Sequence, residues 1–147
     1  LLEDRLPITS ITVMVQKEAA ERLCAQPGTR ECGAVSAAVQ YYAEPEILFE
    51  VSRGSFMPAP NVDSAVIQLR IRKEPPVDVH DEALFFRVIR AAFAQRRKTA
   101  VNSISNTLHM SKQQVTDAFE QAGVRANSRA EALTLPEFAA VANQLAD

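Results

Sequence analysis

The stretch SAVIQLRIRK, residues 64–73, alternates apolar Ala65, Ile67, Leu69 and Ile71 with polar Gln68, Arg70 and Arg72. A period of two sends successive side chains to opposite faces, so this segment reads as a strand with one buried face. Such a strand needs partners on its edges and a layer over its apolar side. Both are found upstream. ITSITVMVQ, residues 8–16, is rich in β-branched residues and reads as a buried strand. EILFEV, residues 46–51, reads as another, and its short connection to the strand at 64 makes the two antiparallel neighbours. Between these strands KEAAERLCAQPG reads as a helix closed by Pro27 and Gly28. AVSAAVQYYAEPE reads as a second helix, through about Tyr42, ended at Glu44 because the residue before Pro45 avoids the α region. Three strands leave one face and one edge exposed. LLEDRLPITS, with Leu1, Leu2 and Leu6 placed like the last turn of a helix, suggests a piece of a longer chain whose preceding residues supply the other strands.

After KEPPVDVHD, residues 73–81, which reads as a linker between modules, the period changes from two to that of a helix. Asp81 is placed to cap DEALFFRVIRAAFAQ, whose Leu84, Phe85, Val88, Ile89, Ala92 and Phe93 form one stripe. A further helix is expected over 97–107. Ser111 with Gln114, and Thr134 with Glu137, have capping-box spacing for two more helices, the first of which stops at Gly123. With 147 residues and 47% hydrophobic content the chain has enough apolar material for a real core. The fold expected is α/β strands followed by a small helical bundle, with a boundary near residues 74 and 75.

Several chemistries find no support. Gly28, Gly33, Gly54 and Gly123 are not clustered after a strand, so no glycine-rich nucleotide turn is present. Cys24 and Cys32 fit neither zinc spacing nor a disulfide framework and read as inert thiols of an intracellular protein. His80 and His109 stand alone, and no apolar run approaches the roughly 20 residues of a membrane span. Charge is more informative. The formal net charge is −2, yet residues 83–116 contain no acidic residue and carry +6, leaving −8 elsewhere. Arg87, Arg90 and Arg97 share a face if the helix runs on, with Arg96 and Lys98 near its end. A ridge of this kind can grip phosphates through charge and counterion release, and the bland alternative is a solvated helix face. SISNTLHMSKQQVTDAFEQAGV, residues 103–124, also has the look of a helix-turn-helix, which would make the chain a non-catalytic nucleic-acid-binding module.

The loop SFMPAPNV, residues 55–62, places Phe56 among Pro58 and Pro60, which stiffen it by fixing φ. Phe56 is either presented by that loop or folded back as a plug of the sheet. VMVQKEAAERLCAQPG, CGAVSAAVQYYAEPE, FMPAPNVDSAVIQL, FFRVIRAAFAQRRKT and RAEALTLPEFAAVANQL, in this order and covering nearly the whole chain, resemble the KsgA-type ribosomal RNA small-subunit adenine dimethyltransferases. The pair FxPxPxVDSAV and AFxQRRKT carries the resemblance.

The resemblance implies that residues 1–74 hold the C-terminal strands of a Rossmann-like methyltransferase sheet and that residues 75–147 form a helical rRNA-docking domain. It implies a cytoplasmic enzyme that uses S-adenosylmethionine to dimethylate adenines of small-subunit rRNA during ribosome biogenesis, with the ribosomal subunit and the missing N-terminal half as partners. The family's cofactor glycines and Asn-x-Pro-aromatic motif precede ITVMV, so no cofactor is expected on this piece, which should be inactive alone. Phe56 would stack on the flipped adenine, supported by Pro58 and Pro60, and Arg87, Arg90, Arg96, Arg97 and Lys98 would contact rRNA phosphates.

Overall fold

The alternating stretch is the middle strand of a three-stranded antiparallel sheet. In the computed structural model, which describes residues 9–29, 32–55 and 62–146, β1 (Ser10–Gln16) and β2 (Ala43–Val51) flank β3 (Ser64–Ile71) in the order β1-β3-β2. The register pairs Val13 with Ile67 and Val15 with Ala65 on one face, and Met14 with Val66 on the other. The inward face carries Ala65, Ile67 and Leu69, which pack with Ile11, Val15, Ala20, Leu23 and Val39. The cover comes from α1 (Lys17–Leu23) and α2 (Ala34–Tyr42).

Two details of β2 depart from the sequence pattern. The helix ends at Tyr42 as expected, but the strand begins at Ala43 and runs through Pro45 rather than starting at Glu46. Proline donates no N–H, and a strand paired on one side only can carry one. A bulge then skips Leu48, so that Ile47 opposes Ile67 while Phe49 opposes Val66. One inserted residue reverses the alternation beyond it. Phe49 therefore joins Met14 and Val66 in a row on the open face, and Phe49 is 56% and Met14 53% exposed.

The C-terminal part is a bundle of α3 (Glu82–Phe93), α4 (Ala100–Leu108), α5 (Lys112–Gln121) and α6 (Leu135–Ala146). Its core contains Phe85, Val88, Ile104, Phe119, Phe138 and Val141, all fully buried. The expected caps form. Asp81 accepts from the Leu84 N–H at 3.2 Å and Ser111 from the Gln114 N–H at 3.1 Å. Thr134 and Glu137 bond reciprocally, each backbone N–H donating to the other's side chain. Gly123 follows α5 with φ +75, a value that glycine adopts without a Cβ clash.

The helix expected over 97–107 starts at Ala100, and α3 stops at Phe93. The buried Ser103 hydroxyl donates to the Ala91 carbonyl and accepts from the Gln95 N–H, which ends α3. Thr99 caps the next helix by accepting from the Asn102 N–H. The first helix is also shorter than KEAAERLCAQPG suggests, ending at Leu23 with Gly28 further on at φ +94.

Strand and helical parts share one helix. Ala37 and Tyr41 of α2, with Cys32 just before it, belong to the apolar core of the bundle, while Val39 packs on the sheet. The connection after β3 is pinned to α6, where Asn143 accepts from the His80 N–H at 2.8 Å and donates to the Asp78 carbonyl at 2.9 Å.

Candidate nucleic-acid interface

The early end of α3 changes the basic ridge. Arg87 and Arg90 lie on α3, but Arg96, Arg97 and Lys98 occupy the turn before α4 rather than one continuous helical face. All five are exposed, and among the described residues none of them forms an ion pair. The turn is ordered from both sides. The Lys98 N–H donates to the Gln95 carbonyl at 3.0 Å, and Arg129 Nη1 donates to the Arg96 carbonyl at 3.2 Å.

Arg90 and Arg96 then converge with a residue that sequence reasoning missed. They line a cleft of about 300 Å³ with Arg22, at the end of α1, and with the start of α2 at Gly33, Ala34, Val35 and Ser36. No carboxylate lines this cleft among the described residues. Arg22 sits there because the buried Ser36 hydroxyl donates to its carbonyl, while the Gly33 N–H donates to Ser36 Oγ at 3.1 Å. Its guanidinium also reaches Glu18 at 3.4 Å, a pair more than half exposed on both sides and therefore readily exchanged for another anion. An adjoining cleft of about 410 Å³ is of mixed sign, with Arg22, Arg96 and Lys98 facing Glu18, Glu21 and Glu131. Arg87 and Arg97 line neither.

Cys32 opens onto the mixed cleft. Burial pushes its thiol up, and a hydrogen bond with Ser36 opposes that shift. Burial also raises Cys24. Neither environment favours a reactive thiolate. Among the described residues no group of three His, Cys, Asp or Glu side chains could hold a metal, and no helix is long and apolar enough to cross a membrane.

Phe56, Pro58 and Pro60 lie outside the described residues. The ends of their loop do not. Asp63 Oδ1 accepts from the Arg53 N–H at 3.0 Å, and the Asp63 carbonyl accepts from the Lys17 N–H at 2.9 Å. Asp63, to which sequence reasoning gave no role, therefore ties the two ends of the loop together and fastens them to the start of α1. From Lys17 to Arg22 the rise along that helix is about 8 Å, so the base of the Phe56 loop and the arginine cleft stand at opposite ends of one short helix.

The helix-turn-helix reading fares less well. Helices α4 and α5 are joined by a tight turn with His109 at φ +56, but α5 directs Val115, Ala118 and Phe119 inward. Its outward side offers Asp117, to which Gln113 donates at 2.8 Å, and Glu120. Negative charge there is unsuited to a DNA groove.

Comparison with known proteins agrees with the sequence resemblance. The chain is 51% identical over 148 residues to the ribosomal RNA small subunit methyltransferase A of Geobacillus sp. (strain WCH70), covering 99% of this chain and 51% of that protein. It is 48% identical to the protein of the same name from Oceanobacillus iheyensis, covering 97% and 49%. The chain thus spans about half the length of the curated relatives it matches. In fold it is similar to a dimethyladenosine transferase from Plasmodium falciparum, with a TM-score of 0.76, 21% identity, and coverage of 95% of this chain and 58% of that one. It is also similar in fold to the 23S rRNA methyltransferase ErmE, with a TM-score of 0.68, 20% identity, and coverage of 99% and 58%. The family described as ribosomal RNA adenine dimethylase matches residues 1–147, and this chain belongs to that family.

Proposed function

We propose that this chain is the rRNA-docking part, together with one wall of the base pocket, of an enzyme that dimethylates adenines of small-subunit rRNA during ribosome biogenesis. The observation that carries this reading is the cleft lined by Arg22, Arg90 and Arg96, where among the described residues the one carboxylate paired with these arginines is the exposed Glu18 on Arg22. Guanidinium groups from two helices and a turn suit a bent phosphate backbone, because Arg grips phosphate bidentately and each contact releases counterions. Such contacts position the RNA rather than read its sequence. Arg87, Arg97 and Lys98 extend the surface beyond the cleft.

A base must leave its stack before its exocyclic amine can react, and an aromatic side chain can take over the lost stacking. Phe56 is assigned that role, Pro58 and Pro60 stiffen its loop, and Asp63 closes it. The loop base lies at the far end of α1 from the cleft, so one bound RNA segment can meet both. The methyl donor of such an enzyme is S-adenosylmethionine. The described residues do not fit it, since no glycine-rich turn follows a strand. In a chain of the relatives' length, the additional residues would hold the donor, pair with the outer edge of β1, and cover the row formed by Met14, Val66 and Phe49.

The test is rRNA binding against salt in an enzyme of the relatives' length that carries this sequence. Replacing Arg22, Arg90 and Arg96 with Ala is expected to weaken binding and to lower the slope of log affinity on log salt by roughly one per arginine. An unchanged slope overturns the docking role. In the same enzyme Phe56→Ala should depress methylation far more than binding, and equal losses would rule out stacking.

A further inference from the structure

The helix that lines the arginine cleft at its first turn meets the bundle at its last. There the two final residues of α2 point their hydroxyls at one carboxylate. Tyr41 Oη donates to Glu82 Oε2 at 2.9 Å and Tyr42 Oη to Glu82 Oε1 at 3.1 Å. Glu82 opens α3, where Asp81 caps the helix and the helix dipole favours a negative side chain. Around the carboxylate the rings are packed with defined angles. Tyr41 meets Phe85 at 5.1 Å and Phe86 edge-on at 5.3 Å, and Tyr42 stacks on Phe86 at 5.4 Å with 21° between the planes. The other side of the junction is fixed as well, since Arg72 Nε donates to the Gln40 carbonyl and the Arg72 N–H to the Tyr42 carbonyl, both at 2.9 Å.

We propose that Glu82, gripping Tyr41 and Tyr42 together, is a positioning residue that sets the angle between the sheet and the helical bundle, and so the placement of Arg90 and Arg96 relative to Arg22 and to Asp63 at the base of the loop. This inference rests on the docking reading above. Apolar contact alone would hold the two parts together, but it is not directional and lets one slide on the other. Two hydrogen bonds from neighbouring hydroxyls to the two oxygens of one carboxylate restrict rotation about α2 as well as separation from it. The distinction matters for methyl transfer. The cleft spans the joint, with Arg22 on α1 and Arg90 and Arg96 on the side of the bundle, so a varying angle loosens the grip on phosphate, and it misaligns the target amine more severely, because small displacements of reacting atoms are costly in rate.

The experiment uses the enzyme of the relatives' length with three variants: Glu82→Ala, Glu82→Gln, and Tyr41→Phe combined with Tyr42→Phe, which keeps every ring. Spin labels at Glu46 on the sheet and Glu120 on the bundle, in a Cys24→Ala and Cys32→Ala background, report the distance distribution between the two parts. Glu82→Ala and the double Phe variant are expected to broaden that distribution and to lower kcat about tenfold, with rRNA affinity falling by a smaller factor, about threefold. Glu82→Gln, which keeps a partner for both hydroxyls, should restore a narrow distribution and most of kcat. A distribution as narrow as wild type in the double Phe variant overturns the proposal, as does a loss confined to affinity. If Glu82→Ala does not fold, the double Phe variant decides the matter. If the unmodified enzyme neither binds nor methylates rRNA, the docking reading fails while the label distances still settle whether Glu82 sets the angle.

Discussion

The helical bundle and the sheet solve the burial problem to different extents. In the bundle Phe85, Phe119 and Phe138 are fully enclosed, because each helix has one apolar stripe and its neighbours supply the opposing surface. The sheet has two faces and two edges, and α1 and α2 cover only one face. On the other side Met14 and Phe49 remain more than half exposed, and even on the covered side Val13, in the outer strand β1, is 38% exposed. The bundle core is closed, with Ala37 and Tyr41 of α2 helping to close it, and the sheet has apolar surface still available. On the proposed function, a docking module has to keep its shape whatever it binds, whereas a sheet completed by further residues need satisfy only the faces its own sequence covers.

The sharpest way to break this contrast is to truncate an aromatic in the bundle. Phe119→Ala removes a fully buried ring from among α4, α5 and α6, and should cost about 3–5 kcal/mol in urea unfolding. A loss below about 1 kcal/mol would mean that the bundle core relaxes around the cavity, and that its closure is not what holds it. A smaller effect is expected at Ser103, whose hydroxyl serves both the Ala91 carbonyl and the Gln95 N–H. Ser103→Ala should cost about 1–3 kcal/mol by leaving buried polar groups without partners. It should also loosen the turn that carries Arg96 to Lys98, read as faster amide exchange there.

Ser103 also marks the limit of what the sequence displays. The β3 alternation, the α3 stripe and the caps at Asp81, Ser111 and Thr134 are local patterns, and each folds as its pattern predicts. The end of α3 is set by a residue ten positions further on than Phe93, so the pattern of Arg87, Arg90 and Arg97 suggested a longer basic face than the fold contains. Arg22 was hidden for a related reason. Its own neighbourhood, with Glu18 and Glu21, is acidic, and only the packing of α1 against α2, and of α2 against α3, brings it to Arg90 and Arg96. Pro45 in β2 and the bulge at Leu48 likewise depend on the strand's place at the margin of the sheet, which no local period encodes. The positions of individual carboxylates and hydroxyls, as at Asp63 and Glu82, are tertiary facts throughout.

The smallest expected effect bears most directly on the sheet. Phe49 would lie inward beside Ile47 without the bulge, and with it the ring is 56% exposed opposite Val66. Since most of that ring is already in water, Phe49→Ser in this chain should change unfolding free energy by no more than about 0.5 kcal/mol, and should reduce self-association by shrinking the apolar row. In a chain of the relatives' length, where the proposed additional residues cover the row, the same substitution should approach the cost of a buried aromatic, about 3–5 kcal/mol. The gap between the two measurements reads out how much of the open face is covered. Equal small effects at both lengths would leave Met14, Val66 and Phe49 facing water in each, and would remove sheet completion from the proposed function while leaving the arginine cleft untouched.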